Sequence, residues 1–268
     1  MKKILLFIFV STLCIAAAAQ DSTSSRSSRS DRKAEKRQRI NALIKSEEEG
    51  NLSFRKQKSF GIELRTNGYG GFFEIGKRRS PRFTTIYGIE ITEIKNNKEE
   101  KLDGVQNLFT NSYVYGKENN FYQTKLGFGQ QYILGQKGNK NGVAILASLS
   151  GGLSLGLLKP YMLDVKDSIG RTKTITYKDD PAIFLSQGNI IGGAGLTHGW
   201  NELKVKPGVF VKSALRFDFG RYNESIQALE IGMSVETYAG KIPILVYNES
   251  KQVFFQGHIA FVFGSRKK

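Results

Sequence analysis

This 268-residue chain contains two histidines, His198 and His258. Together with serines and carboxylates, they are the residues whose types suit nucleophilic or acid–base chemistry. A serine nucleophile needs a histidine as its base and an acid that orients the histidine. His258 lies in the alternating stretch VFFQGHIAFVFG, whereas His198 lies in a stretch without alternation. The alternating stretch before His258 carries Ser234, Glu230 and Glu236 at its polar positions. Whether these residues could catalyse a reaction depends on whether the polar side of the two stretches faces a substrate, water or the protein interior.

The stretch VFVKSALRFDFG, residues 209–220, has its charged residues on one parity and most of its apolar residues on the other. As a β-strand it would carry hydrocarbon on one face and ions on the opposite face. Across all such stretches the polar face carries four basic and six acidic side chains: Glu63, Arg65, Glu74, Glu90, Lys125, Lys212, Arg216, Asp218, Glu230 and Glu236. An enclosed face needs such a balance, because an unpaired buried charge is costly. The pattern predicts an interior network of ion pairs, with His258 on the same face.

Eight alternating stretches lie between Lys58 and Gly264, and several are 12 to 16 residues long. Strands of soluble sheets are about 5–6 residues long, whereas a tilted strand that crosses a bilayer needs about 9–11. The stretches are 58–65, 69–77, 82–95, 121–134, 143–158, 209–220, 226–240 and 253–264. Short connections (RRSP, GQKGNKNG and GRYNES) alternate with long ones (96–120, 159–206 and 241–252), except at the tight first hairpin, TNGYG. This predicts an all-β fold, an antiparallel eight-stranded up-and-down transmembrane β-barrel over residues 58–264.

The interior of such a barrel is only wide enough for its own side chains to fill. Neither lipid nor water would then reach Ser234 and His258 easily, so the sequence favours a non-enzymatic protein over a catalytic one. The small residues of GGLSLG are expected to make room for large interior side chains opposite them. No group of His, Cys or carboxylates has metal-ligand spacing, and we expect no cofactor. Aromatic residues near the strand ends are expected to form interfacial girdles, namely Tyr69, Phe83, Phe121, Tyr122, Tyr132, Tyr222 and Tyr238.

The first nineteen residues have the layout of a secretory signal peptide. Lys2 and Lys3 precede an apolar run, 4–15, and the small residues 16–19 favour cleavage after Ala19. The only cysteine, Cys14, would leave with this segment, so a disulfide-stapled fold is excluded for the mature chain.

Residues 20–57 form a basic segment, called here the basic arm. It begins with the low-complexity run DSTSSRSSRS, and a short helix is expected near Ile40, Leu43 and Ile44. Its residues 26–45 carry eight cations: Arg26, Arg29, Arg32, Lys33, Lys36, Arg37, Arg39 and Lys45. A docking arm and a solvated tail both fit this composition.

The net charge of +16 would suit nucleic acid, but an exported chain does not meet a genome. The candidate partners are therefore phosphates of lipopolysaccharide, anionic lipid headgroups, or an acidic protein or cell-wall polymer reached by the basic arm.

Residues 58–264 resemble the small eight-stranded outer-membrane β-barrels of bacteria. The last stretch, VFFQGHIAFVFG, resembles the terminal strand by which such barrels are recognised for insertion, with aromatics up to Phe263. The resemblance implies an outer-membrane location with both termini in the periplasm. It also implies a structural or interaction anchor with surface loops as binding regions; a narrow pore and a lipid-A-modifying barrel enzyme are the alternatives.

Overall fold

The computed structural model describes residues 33–38, 40–41, 52, 54–104, 112–139, 141–167 and 169–267. The chain divides into two compact units, Met1–Ser46 and Glu47–Lys268. In the first unit, residues 33–38 and 40–41 are helical and exposed. The signal-peptide prediction for residues 1–19 lies outside the described residues.

The second unit is built on a closed antiparallel barrel of eight strands. Its strands are β1 (Lys56–Arg65), β2 (Gly68–Arg78), β3 (Phe83–Ile94), β6 (Asn119–Gly135), β7 (Ala144–Pro160), β11 (Lys204–Asp218), β12 (Ser225–Ile242) and β13 (Lys251–Lys267). The order around the barrel is β1-β13-β12-β11-β7-β6-β3-β2, so β1 closes the barrel against β13. The all-β, eight-stranded barrel expected from the sequence is confirmed.

Period-2 alternation accounts for the strands and for which side faces inward. On β11, Lys212, Arg216 and Asp218 are buried while Val209 and Val211 are exposed, and the other seven strands show the predicted parity as well. The paired strands extend beyond the predicted limits of 58 and 264, to Lys56 and Lys267. The C-terminal extension continues β13 because Arg266 turns inward and pairs with Asp218.

The connections separate the two ends of the barrel. The turn end carries the short connections 79–82, 136–143 and 219–224, together with the start of β1 and the end of β13. The loop end carries the long connections 95–118, 161–203 and 243–250, and also the two-residue turn 66–67.

The long connections at the loop end contain structure that the sequence pattern did not indicate. Strands β8 (Met162–Lys166), β9 (Thr172–Thr176) and β10 (Ile190–Gly193) form a three-stranded sheet. Strands β4 (Lys101–Leu102) and β5 (Tyr113–Val114) form a second, two-stranded sheet. A helical turn, Pro181–Phe184, follows β9 and is capped by Asp180, whose carboxylate accepts the backbone N–H of Ile183 at 3.0 Å. Strands of two to five residues are too short to show a period.

We call the described parts of 95–118 and 161–203 the loop-end head. Its own apolar core consists of Tyr113, Leu163, Val165, Ile175, Phe184 and Ile190. None of the helices in the described part of the chain is long and apolar enough to cross a membrane.

Candidate functional site

The outer face of the barrel is an apolar belt. Leu153, near the middle of β7, is 64% exposed, although water is a poor environment for a leucine side chain. Other exposed members of the belt are Phe60, Ile62, Leu64, Phe73, Ile75, Tyr87, Ile89, Ile91, Leu126, Phe128, Leu149, Val209, Val211, Leu215, Ile231, Met233, Val235, Phe255, Ile259, Phe261 and Phe263. A continuous apolar surface of this size around a closed barrel is the pattern of a strand-built membrane protein.

The aromatic residues at the strand ends divide into two groups. Tyr69, Phe83 and Tyr222 are exposed, as expected of girdle residues. Phe121 and Tyr238 were predicted to join them, and that prediction is wrong: their exposed fractions are 0% and 2%, because both point into the barrel. An outward partner was also missed, since the Trp200 ring of the loop-end head stacks on Tyr122 with centroids 5.8 Å apart.

The loop-end half of the interior network is built around Glu90. Lys125 Nζ donates to Glu90 Oε1 at 2.6 Å, and Lys212 Nζ donates to Glu90 Oε2 at 3.1 Å. Arg65 contacts the same carboxylate at 3.3 Å and Glu236 at 2.5 Å. The charges come from five different strands, so each ion pair ties together strands that are distant in sequence.

The turn-end half of the network is built around Arg216. Its Nε donates to Glu230 Oε2 at 2.8 Å, and its second terminal nitrogen contacts Glu74 at 2.8 Å. His258 Nε2 lies 3.3 Å from Glu230 Oε1. Lys212 links the two halves, because its ammonium lies 3.0 Å from Glu63 and 3.7 Å from Glu230.

Asp218 lies apart from the other predicted network residues, near the turn end. Its partners are Arg266, in direct contact, and Lys137, whose Nζ lies 3.7 Å from Asp218 Oδ1. Sequence reasoning missed both partners. Lys137 lies in a turn, and Arg266 lies beyond the predicted end of the last strand. The parity of His258 would have placed Arg266 inside if that strand had been extended by two residues.

Neutral polar groups complete the loop-end half of the network. Gln123 Oε1 accepts from Arg65 at 3.1 Å and from the Thr92 hydroxyl at 2.7 Å, and its amide nitrogen donates to Ser154 at 3.2 Å. The Tyr238 hydroxyl lies 3.0 Å from the Ser154 hydroxyl. These contacts satisfy lone pairs and N–H groups that the ion pairs leave over, as a buried network requires.

The polar set around His258 does not form a nucleophile–base pair. Ser234 Oγ accepts from Arg65 at 3.3 Å and approaches Glu236 Oε1 at 3.4 Å. His258 lies opposite Gly232 on β12, whereas Ser234 lies opposite Gln256. Among the described residues, the hydrogen bonds of Ser234 therefore lead to the charge network and not to the imidazole.

Apolar clusters close the interior at both ends. At the loop end the cluster consists of Ile94, Val114, Phe121, Leu158, Tyr238, Ile242, Ile244, Leu245 and Phe254. At the turn end, Leu52 and Phe54 pack against Ile133, Ala144 and Leu146. Leu52, Phe54 and residues 55–57 were predicted to belong to the basic arm, and this is corrected: Leu52 and Phe54 pack against the barrel, and strand β1 begins at Lys56.

Glycines leave room for the large interior side chains. A Cβ on Gly61 would lie 2.4 Å from Phe72 Cζ, and one on Gly156 would lie 2.8 Å from Phe121 Cε2. Gly156 belongs to GGLSLG, so the expected role of that motif holds at this position. A residual cavity of about 30 Å³ remains beside Glu90, Lys125 and Lys212, which is room for about one water molecule.

Tyr161 joins the loop-end cluster to the core of the loop-end head, because its ring packs against both. Its hydroxyl accepts the backbone N–H of Val114 at 3.0 Å, and burial raises the pKa of this phenol. Beside the head, a cleft of about 540 Å³ opens between the turn 66–67, residues 95–98 and residues 244–255. Amides and lysines line the cleft, among them Asn67, Asn96, Lys98 and Lys251, together with the carboxylate of Glu249 and several apolar side chains.

No group of His, Cys, Asp or Glu side chains that could hold a metal ion occurs among the residues that the structure describes. Of the basic arm, only Lys33, Lys36 and Arg37 lie in the described, exposed helix. The other predicted arm cations (Arg26, Arg29, Arg32, Arg39 and Lys45) lie outside the described residues.

A closed antiparallel eight-stranded barrel with an apolar exterior and a charged interior has the fold of the small outer-membrane barrels of bacteria. No protein-family model and no curated protein matches the chain.

Among solved structures, the chain is similar to Neisserial surface protein A, with a TM-score of 0.39, 10% identity and coverage of 79% of this chain and 95% of that one. It is also similar to the N-terminal β-barrel domain of OprF from Pseudomonas aeruginosa, with a TM-score of 0.35, 8% identity and coverage of 79% and 99%. A third similar structure is Ail, the attachment invasion locus protein of Yersinia pestis, with a TM-score of 0.33, 10% identity and coverage of 79% and 95%. Likenesses this distant carry no functional argument, and the barrel is defined by its own strand pairing.

Proposed function

We propose that this chain is a non-enzymatic outer-membrane β-barrel that anchors a folded head at the cell surface. One observation carries the proposal: the interior is filled by paired charges between two apolar clusters, while the long connections form a head with its own core. A barrel whose interior is filled by side chains has no channel for a solute. The parts available to bind partners are therefore those outside the membrane.

The apolar belt supports insertion in a bilayer, and strand direction supports one orientation. Both ends of the barrel chain, Lys56 and Lys267, lie at the turn end, together with the short connections. In bacterial barrels of this type the short turns face the periplasm and the longer loops face outward. The loop-end head then lies outside the cell, among the sugars and phosphates of lipopolysaccharide, and both termini lie in the periplasm.

Two other functions are less well supported. A narrow pore would need a continuous polar path, but Phe121 and Tyr238 at the loop end and Phe54 at the turn end belong to clusters that close it. An enzyme that modifies lipid A would need a nucleophile and base that lipid can reach, whereas Ser234 and His258 are buried and bound to different partners.

Within this function, the loop-end cleft beside the head is a binding region. Its amide side chains and lysines suit polar, anionic ligands such as the core sugars and phosphates of lipopolysaccharide. Trp200, stacked on Tyr122 at the outer rim of the barrel, holds the head at the interface that aromatic rings prefer.

Cysteine labelling in intact cells tests the location and orientation. The mature chain is expected to lack cysteine, so single cysteines can be placed at Ile169 on the exposed head and at Arg221 on a short turn. A membrane-impermeant thiol reagent should label I169C in intact cells and label R221C only after the outer membrane is permeabilised. The reverse pattern, or recovery of the protein in the soluble fraction, would contradict the proposal.

The basic arm is proposed as a second binding region, on the periplasmic side. Lys33, Lys36 and Arg37 lie on an exposed helix, and exposed charges of this kind attract anionic polymers or acidic surfaces at low salt. Deleting residues 26–45 should leave barrel insertion intact and remove partners that co-purify at low salt. An unchanged set of partners would show that the segment is only a solvated tail.

A further inference from the structure

Three lysines lie side by side on the outer face of the barrel at the turn end. Lys56 on β1 lies directly opposite Lys267 on β13 and directly opposite Lys77 on β2. All three side chains are exposed, on the parity that faces outward. Directly opposite residues in antiparallel strands have Cβ atoms about 4.5–5.5 Å apart, and like charges in such pairs are destabilising.

Two arginines extend this row into a cluster of five cations. Arg55 and Arg79, both exposed, join the three lysines in lining a cleft of about 700 Å³ that also contains the Ser80 side chain. We call Arg55, Lys56, Lys77, Arg79 and Lys267 the rim cluster.

The rim cluster is uncompensated in the part of the chain that the structure describes. None of its five side chains makes an ion pair, a hydrogen bond or a cation–π contact with a described residue. The barrel interior differs, because there Lys125, Lys212 and Arg216 each contact at least two carboxylates.

The backbone fixes the positions from which the five cationic side chains project. The N–H of Arg55 donates to Lys267 O at 2.8 Å, and the N–H of Arg78 donates to Arg55 O at 2.9 Å. The side chain of Arg78 holds the base of the cleft, because it donates to Leu52 O and Ser80 O and its guanidinium lies 4.9 Å from the Phe54 ring centroid. The repulsion is therefore built into the rim and is relieved most directly by a bound anion.

The position of the rim cluster indicates the kind of anion. On β1 the outward residues run from Lys56 and Lys58 to Phe60 and Ile62, so the cations border directly on the apolar belt. Four residues of strand span about 13 Å, which sets the rim cluster at headgroup depth beside the hydrocarbon. An anion that fits both surfaces carries its phosphate and its acyl chains in one molecule.

We propose that the rim cluster binds the headgroup of an anionic phospholipid in the leaflet at the turn end. The phosphate lies among Lys56, Lys77 and Lys267, and the acyl chains lie along Phe60, Ile75 and Phe263 of the belt. Headgroups with more than one phosphate should bind more tightly, because Arg55 and Arg79 supply further charge. This site goes beyond the proposed function, since it concerns neither the head nor the cations of residues 26–45.

Spin-labelled lipid provides a direct test with the full chain. The protein is reconstituted in phosphatidylcholine vesicles with a trace of spin-labelled phosphatidylglycerol or, in parallel, spin-labelled phosphatidylcholine. The parent should immobilise phosphatidylglycerol in preference to phosphatidylcholine. The variant Lys56→Gln/Lys77→Gln/Lys267→Gln should lose this preference, by about fivefold in relative affinity for each lysine near the surface. No preference in the parent would overturn the proposal.

A matched control removes the same charge elsewhere. Lys166→Gln/Lys173→Gln/Lys241→Gln neutralises three exposed lysines at the loop end and should keep the full preference. An equal loss in both triple variants would mean that net charge alone attracts the lipid, and the site would be refuted. Urea unfolding in pure phosphatidylcholine checks folding, and there the rim variant should be at least as stable as the parent because repulsion has been removed.

Two further measurements distinguish a bound phospholipid from other possible occupants of the rim cluster. Inorganic phosphate should reduce the preference no more than sodium chloride of equal ionic strength; a specific reduction would assign the site to free phosphate instead. The acidic run Glu47–Glu49 precedes the rim in sequence and lies outside the described residues. A preference that appears only in E47Q/E48Q/E49Q would mean that this run occupies the cluster, and the lipid proposal would fail.

Discussion

At the residue scale, Arg216 shows how a buried charge is paired in this barrel. Its guanidinium is shared between Glu230 and Glu74 inside a barrel where bulk water has little access. Arg216→Met should reduce the free energy of unfolding by about 3–5 kcal/mol, because two carboxylates lose their main partner. Urea unfolding of the reconstituted barrel measures this. Arg221→Met, at an exposed position on the turn after β11, should change stability by less than about 0.5 kcal/mol, and equal effects would contradict the network.

Two glycines provide a second test at this scale. A Gly→Ala change reduces backbone flexibility at both positions, but only one of them leaves too little space for the added methyl group. Gly61→Ala places a methyl group 2.4 Å from Phe72 Cζ, whereas Gly135→Ala meets nothing within 4 Å. The first change should destabilise the barrel by about 1–3 kcal/mol through overpacking. The second should be neutral or stabilise it by up to about 1 kcal/mol. A change at Gly61 that costs as little stability as the change at Gly135 would show that Phe72 can move aside, and would contradict the overpacking.

At the element scale, the alternation of each strand directs apolar side chains to lipid and charged side chains to the interior. The free-energy cost of an arginine placed on the outer face should therefore depend on its depth in the membrane. Val211→Arg, near the middle of β11, should cost about 2–4 kcal/mol, and Leu153→Arg on β7 should cost the same. Val205→Arg, six residues nearer the loop end on the same outer face, should cost no more than about 1 kcal/mol. Unfolding in lipid vesicles measures all three. Equal costs at Val205 and Val211 would place the bilayer elsewhere on the barrel.

The strands were also the part of the molecule that the sequence predicted best. Alternation over 12 to 16 residues identifies a strand and its inward face, so the eight strands and the ten interior charges follow from parity alone. The ends of the strands could not be predicted in this way. Strand β13 continues to Arg266 because Arg266 pairs with Asp218 inside the barrel, and these two residues are 48 positions apart in the sequence. The short strands of the loop-end head and the packing of Leu52 and Phe54 depend on tertiary contacts that no local pattern carries.

At the scale of the whole molecule, the barrel is closed and its interior charges are balanced. The interior pairs six acidic with six basic side chains, namely Glu63, Glu74, Glu90, Asp218, Glu230 and Glu236 with Arg65, Lys125, Lys137, Lys212, Arg216 and Arg266. These twelve interior side chains therefore contribute nothing to the net charge of +16. An interior whose charged side chains are paired in this way supports an anchor and opposes transport.

Single-channel recording in planar lipid bilayers tests this closed interior most directly. The I169C variant, whose insertion is verified by thiol labelling in the same membranes, should give no stable ion conductance over the range of voltages that the bilayer withstands, and the parent should behave alike. The ion pairs around Glu90 and Arg216 lie between Phe121 at one end and Phe54 at the other, so we expect no continuous water path through the barrel. Reproducible conductance steps that scale with salt concentration would contradict the sealed anchor and assign the barrel to transport.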